Sequence, residues 1–186
     1  MVNEDTLATI AATFVSGIIV GIIAEWLRAY LALKEHQTQL RRALYSELLK
    51  KLREVLMMGS AYKTAVEQKD IKYLKQVQDF ETIYPITPLK EGDKPALPYQ
   101  ELSRLNLAYY LLNGVINVVL KLGNADSIDD AKIEYSKLKP TFTGAVEGIS
   151  EAFEESADVL EKLDQGELLK EWHDIRPEAK GLTEAL

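Results

Sequence analysis

The chain contains no cysteine, which excludes disulfide bridges, thiolate metal ligands and cysteine nucleophiles. It has only two histidines, His36 and His173, and neither lies at the ExxH or HExxH spacing of a helical metal site. P-loop, GxGxxG and GxSxG motifs are missing too. We therefore predict a protein without cofactor, metal ion or enzymatic activity, in which both histidines lie at the solvated surface.

Glycine and proline are scarce, with 10 and 6 among 186 residues. Because both residues interrupt helices, their scarcity favours long helices, and the apolar residues recur with a helical period almost throughout. Four of the prolines fall within residues 84–98, which predicts one long loop there. A connector between two helical parts is the simpler interpretation of this loop, and a partner-binding segment is the alternative.

The longest uncharged run is Leu7–Ala24, 18 residues that span roughly 27 Å as a helix, close to the ~30 Å of a bilayer core. Trp26 and Tyr30 follow where interfacial aromatic residues are expected. A cleaved signal peptide would need a basic flank, whereas residues 3–5 read Asn-Glu-Asp. A buried core helix is usually shorter or carries a polar stripe. We therefore predict a transmembrane helix.

Basic residues indicate the direction of this helix. Arg28, Lys34, Arg41 and Arg42 follow the apolar run, and no lysine or arginine precedes it. Because cytoplasmic flanks carry the excess of basic residues, we predict a single-pass protein of the cell membrane. Its N-terminus lies outside and its C-terminal domain lies in the cytoplasm.

The predicted transmembrane helix has one side of small residues that includes a GxxxG pattern at Gly17 and Gly21. Small residues allow two helices to approach closely within lipid. The prediction is helix association, with another copy or another membrane subunit, through Thr9, Thr13, Ser16, Gly17 and Gly21.

The remaining sequence predicts an all-α fold, in which the transmembrane helix continues into an antiparallel bundle of three or four long helices. The expected parts are an anchor with its interfacial flank (1–33), the cytoplasmic bundle (34–176) and a C-terminal tail (177–186). We expect an apolar stripe from Leu44 to Val66 and a short helix near 71–83. Further helices are expected at 99–122, at 128–166 with a kink or a restart at Pro140, and at 167–175, closed by Pro177 before a frayed end.

Three amides stand out in the apolar helix 99–122, namely Asn106, Asn113 and Asn117, spaced by seven and four residues. The uncharged part of this helix, Leu105–Leu120, is only 16 residues long and contains all three amides, so a core helix is expected rather than a second membrane span. Buried amides need hydrogen-bond partners, and they can fix helix register. A pocket for a small ligand is the alternative role of these amides.

Charge is unevenly distributed: residues 28–75 carry a net +6 and residues 76–186 a net −10. We expect the cations Arg41, Arg42, Lys50, Lys51 and Arg53 to face the acidic helix 147–161 or a partner. The acidic run itself predicts a solvated helix face, with a divalent-cation or basic-partner site as the alternative. The acidic distal part disfavours nucleic acid as a partner.

Three functional hypotheses follow. The first is a non-enzymatic accessory, assembly or scaffold subunit that contacts membrane lipid and associates through its transmembrane helix. The second is an oligomeric gated effector or pore, lined by Thr6, Thr9, Thr13 and Ser16, with a cytoplasmic sensor bundle. The third is a small-ligand-binding domain built around the three asparagines.

Overall fold

The computed structural model describes residues 4–75 and 97–185, with side chains from Val20 to Leu182 within these ranges, apart from Asp164. The described chain is all-helical and contains no strand, which confirms the all-α part of the predicted fold class. Six α-helices follow in order: α1 (Glu4–Gln68), α2 (Lys72–Lys75), α3 (Tyr99–Gly123), α4 (Ile128–Glu155), α5 (Ala157–Lys162) and α6 (Glu167–Ala185). Most of the predicted Pro-rich loop 84–98 and the end of the helix expected at 71–83 lie outside the described residues.

The chain divides into two compact units, Met1–Leu40 and Arg41–Leu186. In the second unit, α1 buries the predicted apolar stripe, because Leu48, Leu52 and Val55 are fully shielded from solvent. Ser127 caps α4, since its hydroxyl oxygen accepts a hydrogen bond from the Asp130 backbone N–H at 3.1 Å. Helices in this unit therefore begin and bury their apolar faces largely where the sequence pattern predicts.

Contacts within the second unit show how its long helices run. Three contacts advance together along α1 and α3, which makes these two helices parallel: Arg41 with Glu101, Glu47 with Tyr109, and Met58 with Gly123. Four contacts run in opposite order and make α4 antiparallel to both: Tyr45 with Ser156, Tyr62 with Tyr135, Arg104 with Glu151, and Gly114 with Thr141. The prediction of an antiparallel bundle therefore describes α4 but not the pair α1 and α3.

The core of the second unit is held by aromatic rings and by close helix contacts. The ring of Phe153 lies 4.8 Å from Tyr45, edge to face, and 5.1 Å from Trp172, stacked. Gly148 lets α4 approach α3, since a Cβ there would lie 2.8 Å from a methyl carbon of Leu111. The stacking partners come from α1, α4 and α6, so this aromatic cluster ties three helices together.

Two predicted helix ends are wrong. Pro140 lies inside α4, so of the two outcomes predicted for it, the restart of the helix does not occur. The helix expected to reach Gly166 ends instead at Glu155, where Ser156 separates α4 from α5. Pro177 does not close the last helix, because α6 continues to Ala185. The buried residues Ala179 and Leu182 lie beyond Pro177, so residues expected to fray are packed against the core at least as far as Leu182.

Candidate membrane-contact surface

The most unusual surface of the described chain is the part of α1 from Val20 to His36, where every side chain is exposed. Exposed apolar surface costs roughly 25 cal/mol per Å² in water, and a contiguous patch of this kind usually marks an interaction site. Eight large apolar side chains in this stretch are 45–66% exposed: Val20, Ile22, Ile23, Trp26, Leu27, Tyr30, Leu31 and Leu33.

Burial changes abruptly along α1. From Arg41 onward the helix alternates between buried and exposed residues, as a helix does when one face packs on a protein core. Between residues 20 and 36 no such alternation exists. The apolar surface in this stretch is therefore not covered by the described part of the protein.

Aromatic and basic side chains line one side of this exposed stretch. The rings of Trp26 and Tyr30 are stacked, with centroids 5.7 Å apart and planes 14° from parallel. The Lys34 ammonium lies 5.7 Å from the centre of the Tyr30 ring. Arg28 pairs with Glu25 at 3.4 Å, and both side chains are about 80% exposed. Aromatic rings with nearby cations are typical of the boundary between bilayer and water.

Of the residues predicted for helix association, Gly21 is the one with a described environment. A Cβ at Gly21 would meet nothing within 4 Å, so the site is open. The side chains of Thr9, Thr13 and Ser16, like the surroundings of Gly17, lie outside the described part, as do the side chains of the predicted transmembrane segment as far as residue 19. Helix association therefore stays a prediction.

The described residues include one helix that is long and apolar enough to cross a membrane, α3, and 44% of its apolar window is buried inside the protein. Both α1 and α4 contact α3 in the second unit. This partial burial against neighbouring helices is in line with the core helix expected at residues 99–122.

The three asparagines of α3 do not share one environment. Asn106 and Asn113 are partly buried, and the Oδ1 atom of each is shielded from solvent without a hydrogen-bond partner. Asn117 is exposed. An open groove beside the α3–α4 turn contains none of the three, since it is lined by Lys121, Asn124, Ala125, Asp126, Asp130, Ile133 and Glu134.

The basic stretch of α1 pairs differently from the prediction. Arg41 donates hydrogen bonds to both carboxylate oxygens of Glu101 at 2.8 and 3.2 Å in a buried contact with α3. Arg53 lies 3.0 Å from Glu171 of α6. Within the acidic run 147–161, Glu151 and Glu154 pair with arginines of α3 and α6, Arg104 and Arg176. The acidic run thus holds helices together through arginines that the sequence pattern did not single out.

Two buried tyrosines join α1 to its neighbours. The Tyr45 hydroxyl lies 3.0 Å from the Ala152 carbonyl oxygen and 2.7 Å from the Ser156 hydroxyl. The Tyr109 hydroxyl lies 2.9 Å from both the Leu44 carbonyl oxygen and the Glu47 carboxylate. Burial raises the pKa of both tyrosines, so both hydroxyls stay protonated near neutral pH and remain available for these hydrogen bonds.

Both histidines are exposed, as predicted. Within residues 4–75 and 97–185, no group of three or more histidine, aspartate or glutamate side chains is arranged to hold a metal ion. The sequence matches no protein-family model, no curated protein and no solved structure.

Proposed function

We propose that the protein is a non-enzymatic single-pass membrane protein that serves as an accessory, assembly or scaffold subunit. The observation that supports this most strongly is the exposure of eight large apolar side chains between Val20 and Leu33. This stretch overlaps the end of the uncharged run Leu7–Ala24, and a lipid environment would cover the apolar side chains of both. The basic residues after this run favour a cytoplasmic location for the second unit.

The anchoring is tested by charge substitution in the full-length protein. Val15→Arg/Ile18→Arg should release it from the membrane fraction, because both positions lie near the centre of the predicted membrane helix, where each arginine costs about 2.5–3.5 kcal/mol. Met57→Arg/Ile133→Arg is the matched control, because these apolar residues of the second unit are 56% and 57% exposed. Release of both variants, or a wild-type protein in the soluble fraction, would refute the anchoring.

The proposed assembly uses the small-residue side of the same helix. Gly21→Leu fills the open position and should lower the oligomeric state measured by cross-linking in mild detergent. Ile22→Leu, on the neighbouring large-residue side, should leave it unchanged. An unchanged state in Gly21→Leu would contradict association through this side but not anchoring.

A small-ligand-binding domain is the second candidate, supported by the buried and unpartnered Oδ1 atoms of Asn106 and Asn113. An amide oxygen in this state accepts a hydrogen bond from an N–H or O–H donor of a ligand. A library of small donors can be tested by NMR on the side-chain amide signals of both residues. Absence of any shift of these signals would remove this candidate.

A further inference from the structure

Between residues 21 and 35 of α1, most large apolar side chains lie on one side and most charged side chains on the other, with Leu31 between the two sides and Lys34 among the apolar side chains. At 100° per residue, two groups face away from each other. The aromatic side consists of Ile22, Ile23, Trp26, Leu27, Tyr30, Leu33 and Lys34. The charged side consists of Gly21, Glu25, Arg28, Ala32 and Glu35.

We propose that α1 leaves the bilayer tilted, with its aromatic side against the boundary between phospholipid headgroups and acyl chains and its charged side in water. This inference rests on the proposed membrane anchoring. The uncharged run ends at Ala24, where Glu25 begins the charged positions, whereas large apolar residues continue to Leu33 on the aromatic side. The two ends are roughly 13 Å apart along the helix axis. Tilting brings both ends to the level of one membrane surface.

The geometry of the aromatic side fits a lipid boundary. Stacking of Trp26 on Tyr30 gives a flat platform of two amphipathic rings, whose indole N–H and phenol hydroxyl can reach headgroup oxygens. The Lys34 ammonium lies over the Tyr30 ring, where it can reach lipid phosphate groups, as long basic side chains do at membrane surfaces.

A second protein helix fits this side less well. Helices that associate in lipid approach through small residues, and the small residues Gly21 and Ala32 lie on the charged side. Glu25 and Arg28 also lie on the charged side. Their opposite charges cancel, and both side chains are exposed to water. Lipid on the aromatic side therefore leaves the other side available for water or a protein partner.

The tilt is tested with two single substitutions in a Trp26→Phe background. Tyr30→Trp places a fluorophore on the aromatic side and Ala32→Trp places one on the charged side, only about 3 Å further along the axis. Each protein is reconstituted in phosphatidylcholine vesicles that contain lipids brominated near the glycerol end of the acyl chains. Trp172 is 1% exposed in the core of the second unit and serves as an internal reference in both variants.

Quenching of the fluorophore at position 30 should be at least about twofold stronger than at position 32, because only the aromatic side meets lipid. Equal quenching at both positions, with the protein still floating with the vesicles, would overturn the tilt and leave the anchoring intact. Stronger quenching at position 32 would also overturn it. Loss of flotation for the wild-type protein would refute the anchoring itself.

Discussion

At the scale of single residues, the hydroxyl groups of Tyr45 and Tyr135 are both shielded from solvent but differ in their hydrogen bonding. The Tyr45 hydroxyl has two hydrogen-bond partners, whereas the Tyr135 hydroxyl is shielded from solvent and has none. A satisfied buried hydroxyl contributes about 1 kcal/mol, and an unsatisfied one costs about 1–3 kcal/mol. Tyr45→Phe should therefore lower the free energy of unfolding by about 1 kcal/mol and Tyr135→Phe should raise it by a similar amount. Urea unfolding of the full-length protein measures both, and effects of the same sign would contradict the assignment.

Tyr135 also predicts a pH dependence. Burial, followed by the neighbouring Tyr62, raises the pKa of Tyr135 from 10.0 to about 12. The folded state keeps this proton to a higher pH than the unfolded chain does. The free energy of unfolding is therefore unaffected by this group below pH 10 and falls as the pH rises toward 12. Urea unfolding between these pH values should show a smaller loss for Tyr135→Phe than for wild type. An identical loss in both proteins would show that Tyr135 does not contribute.

The Arg41–Glu101 ion pair is largely buried, because its two side chains are only 10% and 6% exposed. Removal of one partner leaves a buried charge, so Arg41→Ala should lower the free energy of unfolding by about 3–5 kcal/mol. Arg53→Ala breaks the more exposed pair with Glu171 and should cost about 0–1 kcal/mol. Arg41→Met/Glu101→Leu should be far milder than Arg41→Ala, because no charge stays buried. Comparable losses in all three proteins, measured by urea unfolding, would refute the argument.

At the scale of helices, α6 shows that residues beyond Pro177 are part of the core. Leu182 is 7% exposed, and its side chain would lie 3.0 Å from a Cβ placed at Gly59 of α1. Leu182→Ala should lower the free energy of unfolding by about 2–5 kcal/mol through lost burial and the cavity left behind. Glu178→Ala, at an exposed position of the same helix, should change it by less than about 0.5 kcal/mol. An unchanged free energy of unfolding in Leu182→Ala would indicate that the end of α6 is frayed, as the sequence predicts.

Local sequence rules predicted the existence of the helices better than their ends. Proline costs about 3 kcal/mol inside a helix, but the residues two positions before and after Pro140 and Pro177 are buried. Each buried large apolar side chain returns about 1.5–3 kcal/mol, so packing outweighs the cost. The break at Ser156 has a different origin, because its hydroxyl meets Tyr45, 111 residues earlier in the chain. No local pattern contains that contact.

At the scale of the whole molecule, helix direction depends on pairs that are distant in sequence. Arg41 and Glu101 are 60 residues apart, and their contact is among those that make α1 and α3 parallel. The sequence contains charges of both signs at many positions, so it does not identify this pair. Its charge pattern predicts instead that the basic stretch faces the acidic helix 147–161 or a partner. By contrast, the sequence alone identifies the uncharged run Leu7–Ala24, because recognising it requires no pair of distant residues.

The orientation of the chain in the membrane is the last prediction. Because the chain has no cysteine, a maleimide reacts only with a cysteine that is introduced, and the labelling shows on which side of the membrane that residue lies. Asn3→Cys, before the apolar run, should react with a membrane-impermeant maleimide in intact cells. Ser103→Cys, at an exposed position of α3, should react only after permeabilisation. The physical reason is that all basic residues follow the apolar run, and basic flanks stay in the cytoplasm. The reverse labelling pattern would place the second unit outside the cell, and labelling of both positions in intact cells would argue against a membrane-spanning helix.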